Sequence, residues 1–325
     1  MGDKSARGRG GGGGGSSVLL PLVLLGCCAI VPAGQARSIN GLETPRGCNW
    51  RHEDDRSQQT LVCRLRSISG AASLVGNIST QQAENVFSLG FECSEGLFLD
   101  SQLEEGPGAT VGPASYLGAL PRLERLRLEH CKVRNLPGGA FASAPGLRKL
   151  TLRSHSADWS SAALDLHRDA LRGLPELREL DLAENNVWSL PGEFLCPSPS
   201  LASLNLTRNR LQDVASLGLA DWASACAQNL EVLDLSSNEL SALPDNGLAG
   251  LRALTALRVQ DNAIAAVGDH ALAGLHNLRS LNLSSNRLVA LPPELFAKSR
   301  ELRELVLSNN SLAVLAPGLL DGLGN

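Results

Sequence analysis

The sequence lacks the features by which enzymes, membrane-spanning proteins and nucleotide-binding proteins are usually recognised. Beyond its first 36 residues no segment reaches eighteen uninterrupted apolar residues, so we expect no membrane anchor within this chain. The glycine run Gly10–Gly15 is not followed by Gly-Lys-Ser/Thr and is therefore not a phosphate-binding loop. There is no Cys-x-x-Cys pair, and the six histidines are scattered without a nucleophile and an acid at a recognisable spacing. We therefore predict no catalytic residue, no metal site, no cofactor and no enzymatic activity.

Leucine, by contrast, recurs at a fixed spacing through residues 123–325. Eight segments share the pattern Leu-x-x-Leu-x-Leu/Val, and their first leucines are 24, 30, 24, 29, 24, 24 and 24 residues apart. This is the leucine-rich repeat pattern, and it predicts an α/β solenoid, a leucine-rich repeat horseshoe with a parallel sheet on its concave face. Counted as position 0, the first leucines are Leu123, Leu147, Leu177, Leu201, Leu230, Leu254, Leu278 and Leu302.

Each repeat position has a physical interpretation. Positions 3 and 5 alternate with polar residues, so they predict a short strand with one buried face. Asparagine at position 8 carries both a donor and an acceptor, and we expect a column of them to satisfy backbone groups where the chain leaves the strand. Recurrent proline after position 13 argues against the alternative of an amphipathic helical domain. The asparagines are Asn185, Asn209, Asn238, Asn262, Asn286 and Asn310.

The segments outside the repeat array have two predicted roles, secretion of the chain and coverage of the apolar end of the array. Residues 1–36 combine a basic start, the 14-residue apolar run Val18–Val31 and small residues before Ala36, which predicts a signal peptide. Residues 37–122 are expected to form the N-terminal cap, with one irregular repeat at Val86–Phe91. The next leucine of the array would fall at position 326, so we interpret the chain as an N-terminal fragment, truncated within its array and exposing apolar surface there.

Six cysteines remain after the signal peptide, and an even number in a secreted chain predicts disulfides. Cys196 and Cys226 occupy nearly the same place in neighbouring repeats, which makes a Cys196–Cys226 bridge easy to form. Cys93 and Cys131 lie near position 8 of consecutive strands, which predicts Cys93–Cys131. The two remaining cysteines would form Cys48–Cys63 within the cap.

Two repeats are longer than the others, and insertions in a solenoid emerge as loops that often carry function. The first insertion contains Trp159 and the second contains Trp222. Either these tryptophans pack over the convex side of the repeats, or they take part in binding.

Four Asn-x-Ser/Thr sequons are candidate glycosylation sites in a secreted chain: Asn77, Asn205, Asn282 and Asn309. Asn205 and Asn282 fall at position 4, so alternation directs them out of the concave face. Glycans at these two positions would interrupt that surface, and the alternative is that the sequons are not used.

Charged residues are unevenly distributed over the predicted concave face. Basic residues dominate the first two repeats and acidic residues the third and fifth, an arrangement that favours either steering of a charged protein partner or an ordinary solvated face. The formal net charge of −4 argues against nucleic acid as the principal ligand. The predicted ligand-binding residues are Arg125, Arg127, Lys149, Arg153 and Trp159.

Five stretches of residues 45–325 go beyond the generic repeat and resemble arthropod Toll receptors, notably the long-ectodomain class that includes Tollo and 18-wheeler. The stretches are LVCRLRSIS (61–69), LEHCKVRNL (128–136), HSADWS (155–160), VWSLPGEFLCP (187–197) and LVLSNNSLAVLAPGLL (305–320). The resemblance implies the ectodomain of a receptor that crosses the membrane once and carries a cytoplasmic TIR domain. We expect neither the membrane-spanning helix nor the TIR domain within this chain. It also implies a secreted cystine-knot ligand similar to Spätzle or a cell-surface partner, in innate immunity or development.

Two functional classes therefore remain open. One is the extracellular, ligand-binding part of a Toll-type receptor, with a receptor dimer as one arrangement and the membrane reached only through a missing C-terminal segment. The other is a secreted or cell-surface adhesion or matrix protein without a signalling domain. Both place this chain in the secretory pathway, on the extracellular side of the plasma membrane, and both predict a protein partner and no nucleic acid.

Overall fold

The structure is a computed structural model that describes residues 44–52, 59–66, 70–94, 116–131, 133–154, 163–217, 219 and 226–323. Its strands are β1 (Cys48–His52), β2 (Gln59–Leu65), β3 (Ser88–Cys93), β4 (Arg125–Glu129), β5 (Asn135–Leu136), β6 (Lys149–Arg153), β7 (Asp165–Leu166), β8 (Glu179–Asp181), β9 (Ser203–Asn205), β10 (Val232–Asp234), β11 (Ala242–Leu243), β12 (Ala256–Arg258), β13 (Ala266–Val267), β14 (Ser280–Asn282) and β15 (Glu304–Val306). In the described residues, eleven of them form one main sheet, in the order β1-β2-β3-β4-β6-β8-β9-β10-β12-β14-β15.

The main sheet follows the repeat register from strand to strand. β1 and β2 are antiparallel, and the later neighbours are parallel, with equal repeat positions opposite one another. Thus Leu126 pairs with Leu150, and Leu150 pairs with Leu180. The leucines at positions 0, 3 and 5 point into one continuous core, where those of the first seven repeats are at most 3% exposed. The leucine-rich repeat solenoid with a parallel sheet is therefore confirmed.

The asparagine column at position 8 joins consecutive repeats. The amide nitrogen of Asn209 donates to the carbonyl oxygens of Leu182 in the preceding repeat and Leu206 in its own, each at 2.9 Å. Its Oδ1 accepts from the backbone N–H groups of Asn185 and Val187, at 3.1 and 2.9 Å. Asn238, Asn262, Asn286 and Asn310 make the corresponding bonds. The prediction that this column satisfies backbone groups is confirmed.

The residue just before the asparagine column adopts the left-handed backbone conformation in most repeats. This position 7 has φ between 51° and 61° although none of its residues is glycine. Such a turn is costly for most L-residues, and here it reverses the chain so that position 8 enters the core. The residues are His130, Glu184, Arg208, Ser237, Asp261, Ser285 and Asn309.

The segments that return from one strand to the next consist mainly of turns. In the described residues, short parallel pairs β5–β7 and β11–β13 line one flank of the array. Positions 13 and 18 are buried in the earlier repeats, as in Leu243 and Phe296. In the last repeat the equivalent Leu315 and Leu320 are each 47% exposed.

The N-terminal segment closes the first repeat with structure of its own. Two short helices, α1 (Ala71–Gly76) and α2 (Thr80–Ala83), connect β2 to β3, and Ser79 with Gln82 forms a capping box on α2. The irregular repeat is present, with Val86, Leu89 and Phe91 at most 1% exposed. The described residues include disulfides Cys93–Cys131 and Cys196–Cys226, which the repeat register predicted, and Cys48–Cys63, which was expected as the remaining pair. The domain boundaries at residues 36 and 122 stay predictions.

Candidate functional site: the outward face of the main sheet

The face of the main sheet opposite the core carries repeat positions 2, 4 and 6, and we call it the outward face. Because equal positions pair across the strands, their side chains form rows that run along the array. Position 4 forms such a row from Arg127 through Thr151, Asp181, Asn205 and Asp234 to Arg258, Asn282 and Val306. The outward face is thus a continuous strip on which neighbouring repeats contribute adjacent side chains.

Ion pairs join the basic first two repeats to the acidic third repeat. Lys149 Nζ lies 2.7 Å from Glu179 Oε2, and the guanidinium of Arg153 contacts the carboxylate of Asp181. The hydrogen bond to Asp181 raises the pKa of Arg153 and keeps the guanidinium charged. Facing strands therefore bring the basic and the acidic residues into contact where the second repeat meets the third.

A hollow of about 700 Å³ lies at the N-terminal end of the outward face, over β1, β2, β3, β4, β6 and β8. Three predicted ligand-binding residues, Arg125, Arg127 and Lys149, line it. Arg153 lies outside the lining, in its pair with Asp181, and Trp159 lies outside the described residues. Sequence reasoning missed Arg51, His52, Gly90 and Glu92 in this hollow. Gly90 carried a signal, since position 4 of the irregular repeat holds no side chain.

The sequons occupy different environments. Asn77 is exposed, ends helix α1 and donates from Nδ2 to the Ser73 carbonyl oxygen at 2.8 Å. Asn205 and Asn282 lie on the outward face as predicted, and Asn309 is exposed at position 7. Asn205 Oδ1 accepts from the backbone N–H of Thr207 at 2.9 Å, and Asn282 Oδ1 accepts from that of Ser284 at 3.0 Å. These asparagines therefore close the strand end through their oxygen, and a glycan would attach at the nitrogen.

Two further properties limit the chemistry of the described residues. They contain no group of three or more histidine, cysteine, aspartate or glutamate side chains placed to hold a metal ion. Among their helices, none has both the length and the apolar character needed to cross a membrane.

A repeat array with a broad polar strip and a shallow hollow defines a class of protein, the extended binding module. A family model for the leucine-rich repeat matches residues 159–211, 220–264, 254–312 and 276–325. Fibromodulin from Sus scrofa is 39% identical over 138 residues, which is 38% of this chain and 91% of that protein. The chain therefore belongs to the leucine-rich repeat family.

Within that family the chain is similar to receptors. Toll-like receptor 7 from Drosophila melanogaster is 36% identical over 199 residues, or 59% of this chain, and Toll-like receptor 9 from Bos taurus is 33% identical over 130 residues, or 39% of it. These matches support a Toll-like receptor ectodomain, although they span 13% and 12% of those proteins. A crystal structure of a TLR13–ssRNA13 complex matches 74% of this chain and 38% of that chain with 21% identity and a TM-score of 0.48.

Proposed function

We propose that this chain is an extracellular, ligand-binding part of a Toll-type receptor. The observation that carries the proposal is the similarity to the Drosophila receptor, because it covers 59% of the chain, against 38% for fibromodulin. Three disulfides in the described residues fit an oxidising compartment and hence the secretory pathway.

The ligand class that fits the outward face is a protein, either a secreted cystine-knot protein or a cell-surface partner. The face is broad and carries charges of both signs, which suits an interface with another folded protein. Within it, the proposed contacts are the lining residues Arg125, Arg127 and Lys149, together with Arg153 and Trp159. Innate immune or developmental signalling would then be performed by segments that follow this part of the receptor.

The test is binding of the full chain to a panel of secreted cystine-knot proteins and cell-surface ectodomains, measured by surface plasmon resonance. We expect at least one partner whose affinity falls when Arg125, Arg127 and Lys149 are all replaced by glutamate. A control for charge reversal elsewhere on the array replaces Arg279 and Arg303, which occupy position 1 in late repeats, with glutamate and should leave binding unchanged. Equal binding by both variants would remove Arg125, Arg127 and Lys149 from the proposed contacts.

A second candidate is an adhesion or matrix protein, and the match that covers 91% of fibromodulin favours it. The sequence of the full-length transcript separates the two. An apolar span of about 20 residues followed by a TIR domain supports the receptor, and a stop after a cysteine cap supports the matrix protein.

A further inference from the structure

The hollow on the outward face is lined by two residues with little or no side chain, Gly90 and Thr60. Gly90 on β3 has none, and the small Thr60 and Ser88 beside it are hydrogen-bonded to each other, Oγ1 to Oγ at 2.9 Å. On the adjacent strand β4 the equivalent positions carry the long side chains Arg125 and Arg127. The short side chains of β2 and β3 therefore form the bottom of the hollow, and the long arginine side chains of β4 form one of its sides.

Positive charge predominates around this hollow. Its lining contains six cationic side chains and three carboxylates. The cationic residues are Arg51, Arg125, Arg127, Arg148, Lys149 and Arg178, and the carboxylates are Glu92, Glu124 and Glu179.

Each lining carboxylate already has a cationic neighbour in the same hollow. Glu92 pairs with Arg51 at 2.5 Å, Glu124 with Arg148 at 3.1 Å and Glu179 with Lys149 at 2.7 Å. The lining therefore keeps a formal excess of three positive charges.

Two charged residues just outside the lining have opposite signs. Glu129 lies 3.8 Å from Arg127 Nε, and Arg64 Nε lies 3.5 Å from Glu92 Oε2, so including both leaves the formal excess unchanged. A concave surface with an excess of one sign concentrates the potential and attracts groups of the opposite sign.

We propose that this hollow binds an acidic segment of a protein partner. Its aspartate or glutamate side chains would lie over Gly90, between the arginines of β4 and the arginines at repeat position 1, Arg148 and Arg178. The inference rests on the proposed function and specifies the chemistry that its ligand presents. A short acidic loop fits because the lining extends over six neighbouring strands, roughly 25 Å at the usual spacing of strands in a sheet.

The three lining carboxylates distinguish a protein segment from a sulfated glycan. A chain with a negative charge on every sugar would place some charges against Glu92, Glu124 or Glu179, and such like-charge contacts are costly. An acidic protein loop also carries neutral or basic residues that can face these carboxylates. The mixed lining therefore favours a protein.

The probe for this site is a fluorescently labelled oligoglutamate peptide, with oligoglutamine as the neutral control, measured by anisotropy on the full chain at low and high salt. We expect oligoglutamate to bind, oligoglutamine not to bind, and added salt to weaken binding. Oligoglutamate that binds no better than oligoglutamine would overturn the proposal.

The repeat supplies a matched pair of charge reversals. Arg178 and Arg279 both occupy position 1 and are both exposed, but only Arg178 lines the hollow. We expect Arg178→Glu to weaken oligoglutamate binding roughly tenfold and Arg279→Glu to change it less than twofold, because short-range charge reversal acts locally. Equal effects of the two variants would indicate non-specific attraction and overturn the site.

Gly90→Val tests the shape of the hollow without changing its charge. A Cβ at Gly90 would meet Val62 Cγ2 at 3.5 Å and Thr60 Cγ2 at 3.7 Å, which is ordinary contact, so the backbone has room for the first atom of a side chain. We expect thermal stability to stay equal or rise, since valine favours a strand interior, while oligoglutamate binding is lost. Unchanged binding to a stable Gly90→Val protein would contradict a seat over Gly90.

Two outcomes separate this inference from the proposed function. The first outcome is that a heparin oligosaccharide binds the unmodified chain but not Gly90→Val, while oligoglutamate binds neither protein. This outcome would assign the site to a sulfated glycan and overturn the inference. A protein partner whose affinity is unaffected by Arg178→Glu and Gly90→Val would leave the receptor function intact and remove the hollow from it.

Discussion

The two halves of the main sheet have the same backbone and different outward faces. In the first half, β2 to β8, long charged side chains predominate on the outward face of β4, β6 and β8, with cross-strand pairs such as Lys149–Glu179, and the hollow lies beside them over Gly90. From β9 to β15 most of the equivalent positions hold serine, asparagine or alanine. This half also contains one charged pair of the same cross-strand kind among those described, Arg258–Asp234, at 3.6 Å.

The inward faces of these halves do not differ in the same way. Leu150 in the first half and Leu281 in the second are both fully buried, and both pair with leucines at the same repeat position. The comparison indicates that inward positions maintain the solenoid, while outward positions vary without cost to it. Stability and binding should therefore be separable by substitution.

The largest expected effect comes from the inward positions. Leu150→Ala and Leu281→Ala should each lower the free energy of unfolding by about 2–5 kcal/mol, because each removes a fully buried side chain from a close-packed core. Guanidinium denaturation followed by circular dichroism measures both. If only one of the two halves responded, the inward faces would not be equivalent.

The asparagine column should give the next largest effect. Asn209→Ala leaves the buried N–H groups of Asn185 and Val187 without the oxygen that they bond, which costs about 1–3 kcal/mol. The exposed Arg279 serves as control, and Arg279→Ala should change stability by less than about 0.5 kcal/mol. Equal losses in the two variants would mean that the column does not join the repeats.

The outward ion pairs should contribute little to stability in either half. Lys149 and Glu179 have side chains 43% and 53% exposed, so solvent screens their attraction. A double-mutant cycle with alanine at both positions should give a coupling energy of about 0.2–1 kcal/mol. A double-mutant cycle at Arg258 and Asp234 should give a similar coupling energy. A much larger coupling energy between Lys149 and Glu179 would show that this ion pair stabilises the fold.

The smallest effect at neutral pH concerns Tyr116, which is the chain's single tyrosine and lies in the first half. Burial raises its pKa from 10.0 to about 12, because desolvation disfavours the phenolate. Its contribution to stability is thus fully present below pH 10 and is lost as the pH rises towards 12.

Ultraviolet absorbance of the phenolate follows this titration and reports on the first half alone. The chain unfolded in guanidinium should titrate near the ordinary value of 10.0, whereas the folded protein titrates at higher pH. An ordinary pKa in the intact chain would show that Tyr116 is solvated.

The sequence predicted those parts of the molecule that depend on periodicity. The inward leucines, the asparagine column and the pairs Cys93–Cys131 and Cys196–Cys226 follow from repeat position, because stacking brings equal positions together. Cys48–Cys63 followed only as the pair that remained. The hollow was not predicted, since it depends on β1 folding back on β2 and on the absence of a side chain at Gly90. The positive φ of Glu184 and Arg208 was also not predicted, because neither residue type favours that conformation.

The bond that closes the strands has a consequence for where sugar could be attached. Asp234 Oδ1 accepts from the backbone N–H of Ser236 at 3.0 Å and from its hydroxyl, as Asn282 Oδ1 does from Ser284. Asparagine can therefore replace aspartate here with the same turn, and Asp234→Asn would create the sequon Asn-Leu-Ser. One substitution is therefore enough to add a glycan acceptor to a further repeat. Related proteins could gain or lose glycans on the outward face without any change in the backbone of a repeat.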